Sequence, residues 1–452
     1  MKLIGVPITK TLRTQRRRLK NLSVLLLANV FTAGLGFVTT VTIANTLGAE
    51  RFGQLAYALA IGGILAVNIR FGMDRSLIRD LSHYPERFNE TLAASLLARG
   101  FLLALCICVL LLSMAVLPFD THGISGGMVL VILATALNPL QIANVFDFWE
   151  IQGRHALYLC VEKALYFAMI WAVVFWSPDR LGLLWIGASL LTATLFFIGL
   201  QYRYAWGRLR PTLRAIPLGE VTRTALKLLA GNKWLWLAGV AALGMTALNQ
   251  VVLKQFAGFS DLGVFAASFQ LAYVAELLVR NIARIGRPIL ARRTIPGARV
   301  RDTARFLTLY LAVVALAVGL VAVPAIATPK IILQVFFAAE YADGFWVLRI
   351  FGIYFLFRII DAVLGQYLIM VRMDRAFFTR AMASGLAALA CSLVLIPHFA
   401  AVGAAVAQLV GEIILATFSI VATLMHLKRL AKPQQEMNSL EVTQAKPVAV
   451  AE

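Results

Sequence analysis

The sequence predicts an all-α polytopic membrane protein with twelve transmembrane helices in two six-helix lobes around a central cavity. Composition, the placement of basic residues and an internal repeat each support this prediction. Hydrophobic residues make up 60% of the 452 residues, charged residues 14%, and the mean hydropathy is +0.82. Soluble domains are about half apolar and about a quarter charged. The composition therefore indicates a chain that is embedded in a membrane.

Twelve apolar runs define the predicted elements, and each is long enough to cross a hydrocarbon core of about 30 Å. In order, the runs lie at residues 22–47, 54–75, 92–117, 127–148, 156–176, 181–201, 233–255, 262–284, 304–326, 344–370, 377–397 and 401–425. The predicted organisation is a basic cytoplasmic N-terminus at 1–21, an N-terminal lobe at 22–201, a basic cytoplasmic linker at 202–229, a C-terminal lobe at 230–425 and a cytoplasmic tail at 426–452. The tail after Pro433 is polar and is expected to be disordered.

Positively charged residues are concentrated on every second connection between these runs, as they are in cytoplasmic loops. The connections that follow the second, fourth, sixth, eighth and tenth runs are basic, whereas the alternate ones hold only Arg51, Arg180 and Lys330. This alternation extends along the entire chain. Both termini are therefore predicted to be cytoplasmic.

Several other classes of protein are not supported by the sequence. The net charge of +20 is distributed over the connections, without a recognition helix or basic motif, so no nucleic-acid partner is expected. The four cysteines lie within apolar runs without metal-ligand spacing. No phosphate-binding glycine loop or histidine cluster is found. The first run lacks a cleavage site for a signal peptide and is expected to remain in the mature protein. We therefore expect no catalytic residues, no metal site and no cofactor.

The two lobes contain an internal repeat at an offset of 210 residues. The matched positions are Gly48 with Gly258, Gly53 with Gly263, Ala56 with Ala266 and Arg70 with Arg280. Each lobe has an even number of spans, so both lobes enter the membrane from the same side. The repeats are therefore predicted to be parallel and related by an axis along the membrane normal.

A charged stripe occupies the eighth run, where Glu276, Arg280, Arg284 and Arg287 are spaced by four, four and three residues along one helix face. Charge inside a membrane is by default a functional-site hypothesis. Arg280 and its repeat partner Arg70 are predicted to face one cleft and to bind an anionic ligand. The alternative is that both extend to lipid phosphates as anchors. Arg284 is a weaker candidate contact because it and Arg287 lie nearer the loop.

The tenth run holds a second group of charges. Arg358 lies near its centre, with Asp361 one turn later, where an ion pair must be sheltered from lipid. One interpretation makes Arg358 a ligand contact and Asp361 its modulator, and the other is a structural salt bridge within the helix. Arg349, nearer the periplasmic end, is either an exit contact or an interface anchor.

The remaining acids are candidates for ion coupling or for modulating the arginines. Glu412 lies midway along the twelfth run without a basic residue at helical spacing, so a desolvated carboxyl there could exchange protons near neutral pH. The alternative is a permanently protonated acid bonded to another helix. Glu276 and Asp74 are expected to pair with Arg280 and Arg70, four residues away in each case. Polar residues such as Asn138, Asn249 and Gln250 either line a sugar path or join helices.

Several short motifs along the chain resemble those of the polysaccharide-transport flippases. The motifs are Lys20-Asn-Leu-Ser, Thr46-Leu-Gly-Ala-Glu-Arg-Phe-Gly, Phe146-Asp-Phe-Trp-Glu-Ile-Gln-Gly-Arg, Leu262-Gly-Val-Phe-Ala-Ala-Ser-Phe-Gln, Pro288-Ile-Leu-Ala, Tyr341-Ala-Asp-Gly and Val402-Gly-Ala-Ala-Val-Ala-Gln. The resemblance covers about residues 20–428 and consists of glycines and apolar positions rather than reactive groups. Glu150 departs from it, because that position is usually neutral or aromatic.

The resemblance implies a two-lobed transporter of the multidrug/oligosaccharidyl-lipid/polysaccharide superfamily, in the inner membrane of a bacterium. It further implies transport of an undecaprenyl-pyrophosphate-linked oligosaccharide to the periplasmic leaflet by alternating access, for O-antigen or exopolysaccharide synthesis. The implied partners are the lipid-linked oligosaccharide, membrane lipids, a polysaccharide polymerase and glycosyltransferases. Arginine suits a pyrophosphate cargo because its planar fork binds phosphate oxygens and keeps its charge.

Three other functions stay open at this point. A multidrug exporter of the same superfamily predicts a smaller pocket in which acids and aromatic residues outweigh arginine. A peptidoglycan-precursor flippase is disfavoured, because such relatives usually carry extra spans. A membrane scaffold without transport predicts no path between the lobes.

Overall fold

The structure is a computed structural model, which describes residues 8–74, 77, 87–116, 125–149, 151–215, 217–293, 300–371 and 373–444. Within these ranges the side chains of residues 8–26, 113–116, 179, 208–215, 280–281, 283–289, 291–293, 374 and 431–444 are not described. All regular secondary structure in the described ranges is helical. The predicted all-α membrane fold is therefore confirmed.

The α-helices are, in chain order, α1 (Ile8–Arg70), α2 (Phe88–Val116), α3 (Gly126–Leu137), α4 (Ala143–Phe148), α5 (Gln152–Trp176), α6 (Leu183–Ala215), α7 (Leu218–Leu243), α8 (Ala247–Arg293), α9 (Val300–Ala327), α10 (Pro329–Phe336), α11 (Phe345–Met370) and α12 (Asp374–Gln444). Short 3₁₀ segments occupy Asn138–Leu140, Pro178–Arg180 and Ala339–Gly344. The first of these separates α3 from α4 within the predicted fourth span. Pro139 causes this break, because a proline cannot donate the next helical hydrogen bond.

Three of the helices, α1, α8 and α12, are bent sharply at single residues where the sequence predicted a loop between two spans. The bends lie at Gly48, Gly258 and Ala400, with φ angles of 77°, 88° and 45°. A positive φ is readily adopted by glycine, which explains why Gly48 and Gly258 match in the repeat. We call the end of the bundle that holds these bends the kink end, and the opposite end, where α1 terminates at Arg70, the basic end.

The number of membrane crossings is compatible with the predicted twelve. Eight stretches of the described chain are long and apolar enough to cross a membrane. Three of these, Leu27–Arg70, Leu218–Val279 and Arg375–Leu430, contain 44, 62 and 56 residues, enough for two crossings each at about 1.5 Å per residue. Helix α11 is not in this set, although its 26 residues would span about 39 Å.

The two lobes meet along α1 and α8, where a close approach between the two backbones is reciprocal. A Cβ atom added to Gly53 would lie 1.8 Å from the carbonyl oxygen of Phe259, and one added to Gly263 would lie 1.9 Å from that of Ala49. Residues 49 and 259, like residues 53 and 263, are 210 positions apart. The two contacts are therefore related by a pseudo-twofold axis between the lobes. Their residues match at the offset of 210 that the sequence repeat predicts.

At the kink end, α1 is joined to the segment that links α10 to α11. Asn45 donates its side-chain amide to the Phe336 carbonyl at 2.8 Å and accepts the Ala338 backbone amide at 2.9 Å. The backbone amide of Ala49, left without a helical partner by the bend at Gly48, donates to the Glu340 carboxylate at 3.0 Å. We call these bonds, together with the Tyr341 bond described next, the kink-end contact.

Tyr341 is the buried member of the kink-end contact. Its hydroxyl donates to the carbonyl of Ala44 at 2.8 Å, and its ring packs edge-on against Phe52. Burial raises the pKa of Tyr341, so the hydroxyl remains protonated and available as a donor. The kink-end contact therefore ties the first lobe to the second at this end.

Two segments that the sequence places outside the spans, the linker and the tail, contain helix. The linker at 202–229 is largely helical, because α6 extends to Ala215 and α7 begins at Leu218. Helix α12 continues into the tail as far as Gln444, through good helix formers such as alanine, glutamine and glutamate, and the expected disorder of the tail stays a prediction. Residues 445–452 lie outside the described residues.

Candidate functional site

A charged cavity of about 590 Å³ lies between the lobes, toward the basic end. The first lobe contributes Arg70 and Asp74 to its wall, and the second contributes Glu276, Arg358, Asp361 and Arg380. The side chains of Arg70 and Asp74 are 47% and 44% exposed, which places them at the mouth. Those of Arg358 and Arg380 are 28% and 5% exposed, so they lie deeper. Ionisable groups from both repeats thus share one cavity.

Arg358 is the central cation of the cavity. Its Nε and Nη2 atoms donate to the two oxygens of Glu276, from α8, at 3.1 and 3.3 Å. Its Nη1 atom donates to Asp361 on the next helical turn at 3.2 Å, as the sequence spacing predicted. This two-bond pairing with a carboxylate is the geometry in which a guanidinium also binds a phosphate group.

Asp361 connects Arg358 to a second, more deeply buried cation. One carboxylate oxygen of Asp361 accepts from Arg380 on α12 and also accepts a bond of 3.1 Å from the Ser419 hydroxyl. Arg380 also donates to Ser419 at 2.7 Å and stacks over the Phe377 ring at 4.3 Å. Arg380 is therefore held on several sides, and it forms part of the cavity wall.

Glu412 lies behind Arg358 and completes this group. Its side chain is fully buried, and Arg358 Nη1 is 3.6 Å from its Oε1 atom. Both carboxylate oxygens are buried, and the Tyr354 hydroxyl lies beside the carboxylate. We call Glu276, Arg358, Asp361, Arg380 and Glu412 the C-lobe cluster.

A smaller group of charges, the N-lobe cluster, consists of Arg70, Asp74 and Arg99. The predicted pair of Arg70 with Asp74 is present, with Nε and Oδ2 3.7 Å apart. Asp74 bonds more closely to Arg99 from α2, at 2.7 Å, and Arg99 also donates to the Pro139 carbonyl at 2.6 Å. Arg70 is thus only loosely paired and retains donors that face the cavity.

A second cavity of about 400 Å³ adjoins the first and shares Val67 and Arg70 with it. Its polar side chains are otherwise uncharged, namely Thr135, Asn138, Thr246 and Gln250. The third polar candidate, Asn249, lies elsewhere and joins helices, because it donates to the Ala404 carbonyl and accepts from Ser392. The lobes therefore enclose a charged cavity and a neutral polar cavity that meet at Arg70.

Not every predicted site residue can be placed in the cavity. The side chains of Arg280 and Arg284 lie outside the described residues, so the expected meeting of Arg280 with Arg70 stays a prediction. Arg349 is described, and its guanidinium donates to the Ile326 carbonyl at 3.0 Å and stacks on Trp346 at 4.9 Å. It is not among the residues that line either cavity.

Sequence reasoning missed Arg99 and Arg380. Both are almost fully buried, at 2% and 4% exposure. An arginine inside an apolar run was the available signal for each, since such charges are sheltered and paired. Their partners, Asp74 and Asp361, lie on different helices and could not be inferred from spacing.

Residues 18–292, more than half of the chain, match the model of a family described as polysaccharide biosynthesis protein. The chain belongs to this family. No curated protein sequence matches this polysaccharide biosynthesis family member.

Solved structures share the fold of this polysaccharide biosynthesis family member at low sequence identity. One is an inward-facing multidrug transporter of the MATE family, in the MOP superfamily, with a TM-score of 0.69 and 13% identity over 91% of this chain and 99% of that chain. The lipid II flippase MurJ, in an inward closed conformation, has a TM-score of 0.63 and 12% identity over 94% of this chain and 93% of that chain. A mutant of the Vibrio cholerae MATE transporter VcmN has a TM-score of 0.61 and 14% identity over 93% of this chain and 98% of that chain. The family match thus confirms the family resemblance of the motifs, and the solved structures show a shared fold.

Proposed function

We propose that this protein is a flippase that moves an undecaprenyl-pyrophosphate-linked oligosaccharide from the cytoplasmic to the periplasmic leaflet by alternating access. The observation that carries the proposal is the charged cavity between the lobes, with Arg70 and Arg358 on opposite lobes and the kink-end contact across one end. Membership of the polysaccharide biosynthesis family supports a saccharide cargo. The fold shared with MurJ and the MATE transporters supports membrane transport.

The chemistry of this cargo matches the two cavities. A pyrophosphate cannot enter hydrocarbon without losing its hydration, which costs many kcal/mol unless other charges replace the water. Arginines in a protected cavity supply that replacement through paired hydrogen bonds. Sugars need uncharged donors and acceptors, such as those of Asn138, Gln250 and Thr246 in the second cavity. In the proposal, the pyrophosphate lies between Arg70 and Arg358 and the first sugar lies in the neutral cavity.

The proposed setting is the bacterial inner membrane, with both termini cytoplasmic and the basic end facing the cytoplasm. In this orientation the kink-end contact closes the periplasmic side, and the charged cavity receives cargo from the cytoplasm. Glycosyltransferases would build the cargo, and a polysaccharide polymerase would use it for O-antigen or exopolysaccharide synthesis.

The test is a flipping assay in proteoliposomes with a fluorescent polyprenyl-pyrophosphate disaccharide. Arg358→Lys keeps the charge that neutralises Glu276 but loses the planar fork. We expect flipping to fall about thirtyfold, since losing a charge-assisted bond costs about 2 kcal/mol. Arg280→Ala is expected to stop flipping as well, while the protein still inserts stably.

Arg349→Lys is the matched control, because Arg349 lies on the same helix but outside both cavities. It is expected to flip the lipid at the wild-type rate. Normal flipping by both the Arg358 and the Arg280 variants would refute the proposed role of the cavity.

A cation-coupled multidrug exporter is the second candidate, because three carboxylates line the charged cavity beside three arginines. An exporter would remove a cationic dye from inverted vesicles without flipping the lipid-linked disaccharide. A peptidoglycan-precursor flippase would flip a lipid-linked disaccharide pentapeptide in preference. The same proteoliposomes, supplied with each of these cargoes in turn, separate the three functions.

A further inference from the structure

The C-lobe cluster contains more acids than bases. Among the described side chains, two guanidinium groups, Arg358 and Arg380, face three carboxylates, Glu276, Asp361 and Glu412. With every group ionised the cluster carries a formal charge of −1. A net charge is costly at such a buried place unless it is compensated or removed by a proton.

The three carboxylates are compensated very unequally. Glu276 receives two bonds from Arg358, and Asp361 receives bonds from Arg358, Arg380 and Ser419. Glu412 is fully buried, and its contacts are weaker, because Arg358 lies at 3.6 Å and the other polar group beside the carboxylate is the uncharged Tyr354 hydroxyl. The ionised form of Glu412 is therefore the least stabilised of the three.

The helices packed closely around Glu412 contribute several other charged or titratable groups. Tyr354, Arg358 and Asp361 face it from α11, Glu276 from α8 and Arg380 from the first half of α12. On its own half of α12, the uncharged Gln408 lies one turn earlier and is buried. The residues that α7 contributes to the nearby cavity wall are Trp236 and apolar positions. Arg358 thus lies next to Glu412, and it also pairs with Glu276 and lines the cavity.

We propose that Glu412 is the proton-binding group of this site, and that binding of a pyrophosphate anion at Arg358 is accompanied by uptake of one proton on Glu412. This inference rests on the proposed function, since it takes the pyrophosphate headgroup as the anion. The ionised Glu412 attracts Arg358 away from the cavity and repels an incoming phosphate. A proton from water, placed on a Glu412 oxygen, removes both effects and leaves the C-lobe cluster neutral. Arg358 then offers its Nη1 donor to a phosphate oxygen.

The sign of the pH dependence follows from this linkage. Bound pyrophosphate brings negative charge near Glu412 and favours its protonated form, so protons are taken up on binding. Affinity for pyrophosphate therefore rises as pH falls through the range in which Glu412 titrates, by up to about tenfold per pH unit. Replacing Glu412 with glutamine imitates the protonated acid, so this variant should bind tightly with little further dependence on pH.

The test uses full-length protein in lipid nanodiscs with inorganic pyrophosphate as the probe. Infrared difference spectra with and without pyrophosphate report a protonated carboxylic acid through its C=O stretching band. We expect wild type to gain this band on binding and Glu412→Gln to lack it. Glu276→Gln is the matched control, because it removes a different acid that pairs with Arg358 and should retain the band. The titration of pyrophosphate itself is the same in all three proteins and cancels.

A wild-type spectrum without the band would overturn the inference, and so would a band that persists in Glu412→Gln. The flipping assay separates this result from the proposed function. If wild type flips the lipid-linked disaccharide but shows no band, the linkage is wrong and the flippase stands. If the band appears but no lipid is flipped, the proton site stands and the proposed cargo is wrong.

Discussion

At the scale of single residues, charges inside the apolar spans are held by partners from other helices. Asp361 is the principal example, since it joins Arg358 on its own helix to Arg380 on α12. The pair within the helix was predictable from the spacing of three residues. The pairing with Arg380, and that of Glu276 with Arg358, required knowledge of which helices are neighbours. The two arginines that sequence reasoning missed are the most deeply buried of the site.

A residue-scale prediction concerns Asp361→Asn, which removes the negative charge but nearly keeps the volume. It leaves Arg380 buried without its main counter-ion, which typically costs about 3–5 kcal/mol. We expect a marked loss of thermal stability in detergent, measured by intrinsic fluorescence. Adding Arg380→Leu should recover most of the stability, because replacing both members of a buried pair is often nearly neutral. A double variant as unstable as the single one would contradict this explanation.

At the scale of elements, single residues produce sharp bends where loops were expected. The internal repeat was visible in the sequence as matched glycines, and two of them, Gly48 and Gly258, have the positive φ that favours glycine. Gly53 and Gly263 are needed for a different reason, because the missing side chain at each lets a backbone carbonyl of the other lobe pack against the helix. The repeat thus predicted where the glycines lie, and packing explains why glycine is needed. The bend at Ala400 had no such signal, since alanine rarely adopts a positive φ.

An element-scale prediction follows for Gly53→Ala. The added Cβ would overlap the Phe259 carbonyl, so the helices must separate, and overpacking of this kind costs about 1–3 kcal/mol. We expect a lower Tm for this variant and also for Gly263→Ala. Gly63→Ala, on the same half of α1, is the control, because nothing lies within 4 Å of its added Cβ. Its Tm should stay the same or rise slightly, since alanine favours the helix. Equal effects at positions 53 and 63 would rule out the close approach as the cause.

At the scale of the whole molecule, the lobes are joined at the kink end and enclose ionisable groups toward the basic end. A carrier that works by alternating access must break the kink-end contact to release its cargo there. The bonds made by Asn45, Ala49 and Tyr341 are few, so their loss costs only a few kcal/mol. Such a balance suits a protein that exchanges between two states of similar free energy.

Removing one of these bonds should shift that exchange. Tyr341→Phe loses the bond to the Ala44 carbonyl, worth about 1 kcal/mol, and should enlarge the population that is open at the kink end about fivefold. Spin labels at the exposed positions Thr46 and Asp343 would report this as a longer distance in pulsed resonance spectra. Tyr310→Phe, whose hydroxyl bonds to Ile282 within the second lobe, is the matched control and should leave the distances unchanged. Unchanged distances in Tyr341→Phe would show that this bond does not hold the lobes together.

The sequence by itself determined the membrane environment, the all-helical fold, the repeat and the family, because these depend on composition and on motifs that are local in the chain. The tertiary structure decided how the charges pair. It showed that Arg380 and Arg99 are buried and paired with acids from other helices. It also placed Glu412 behind Arg358 and Arg349 outside both cavities. The physical reason is that an ion pair between helices depends on which helices are neighbours and on their rotation, and neither is encoded in the spacing along one helix. Helical periodicity therefore identifies which charges share a face, whereas packing determines what that face meets.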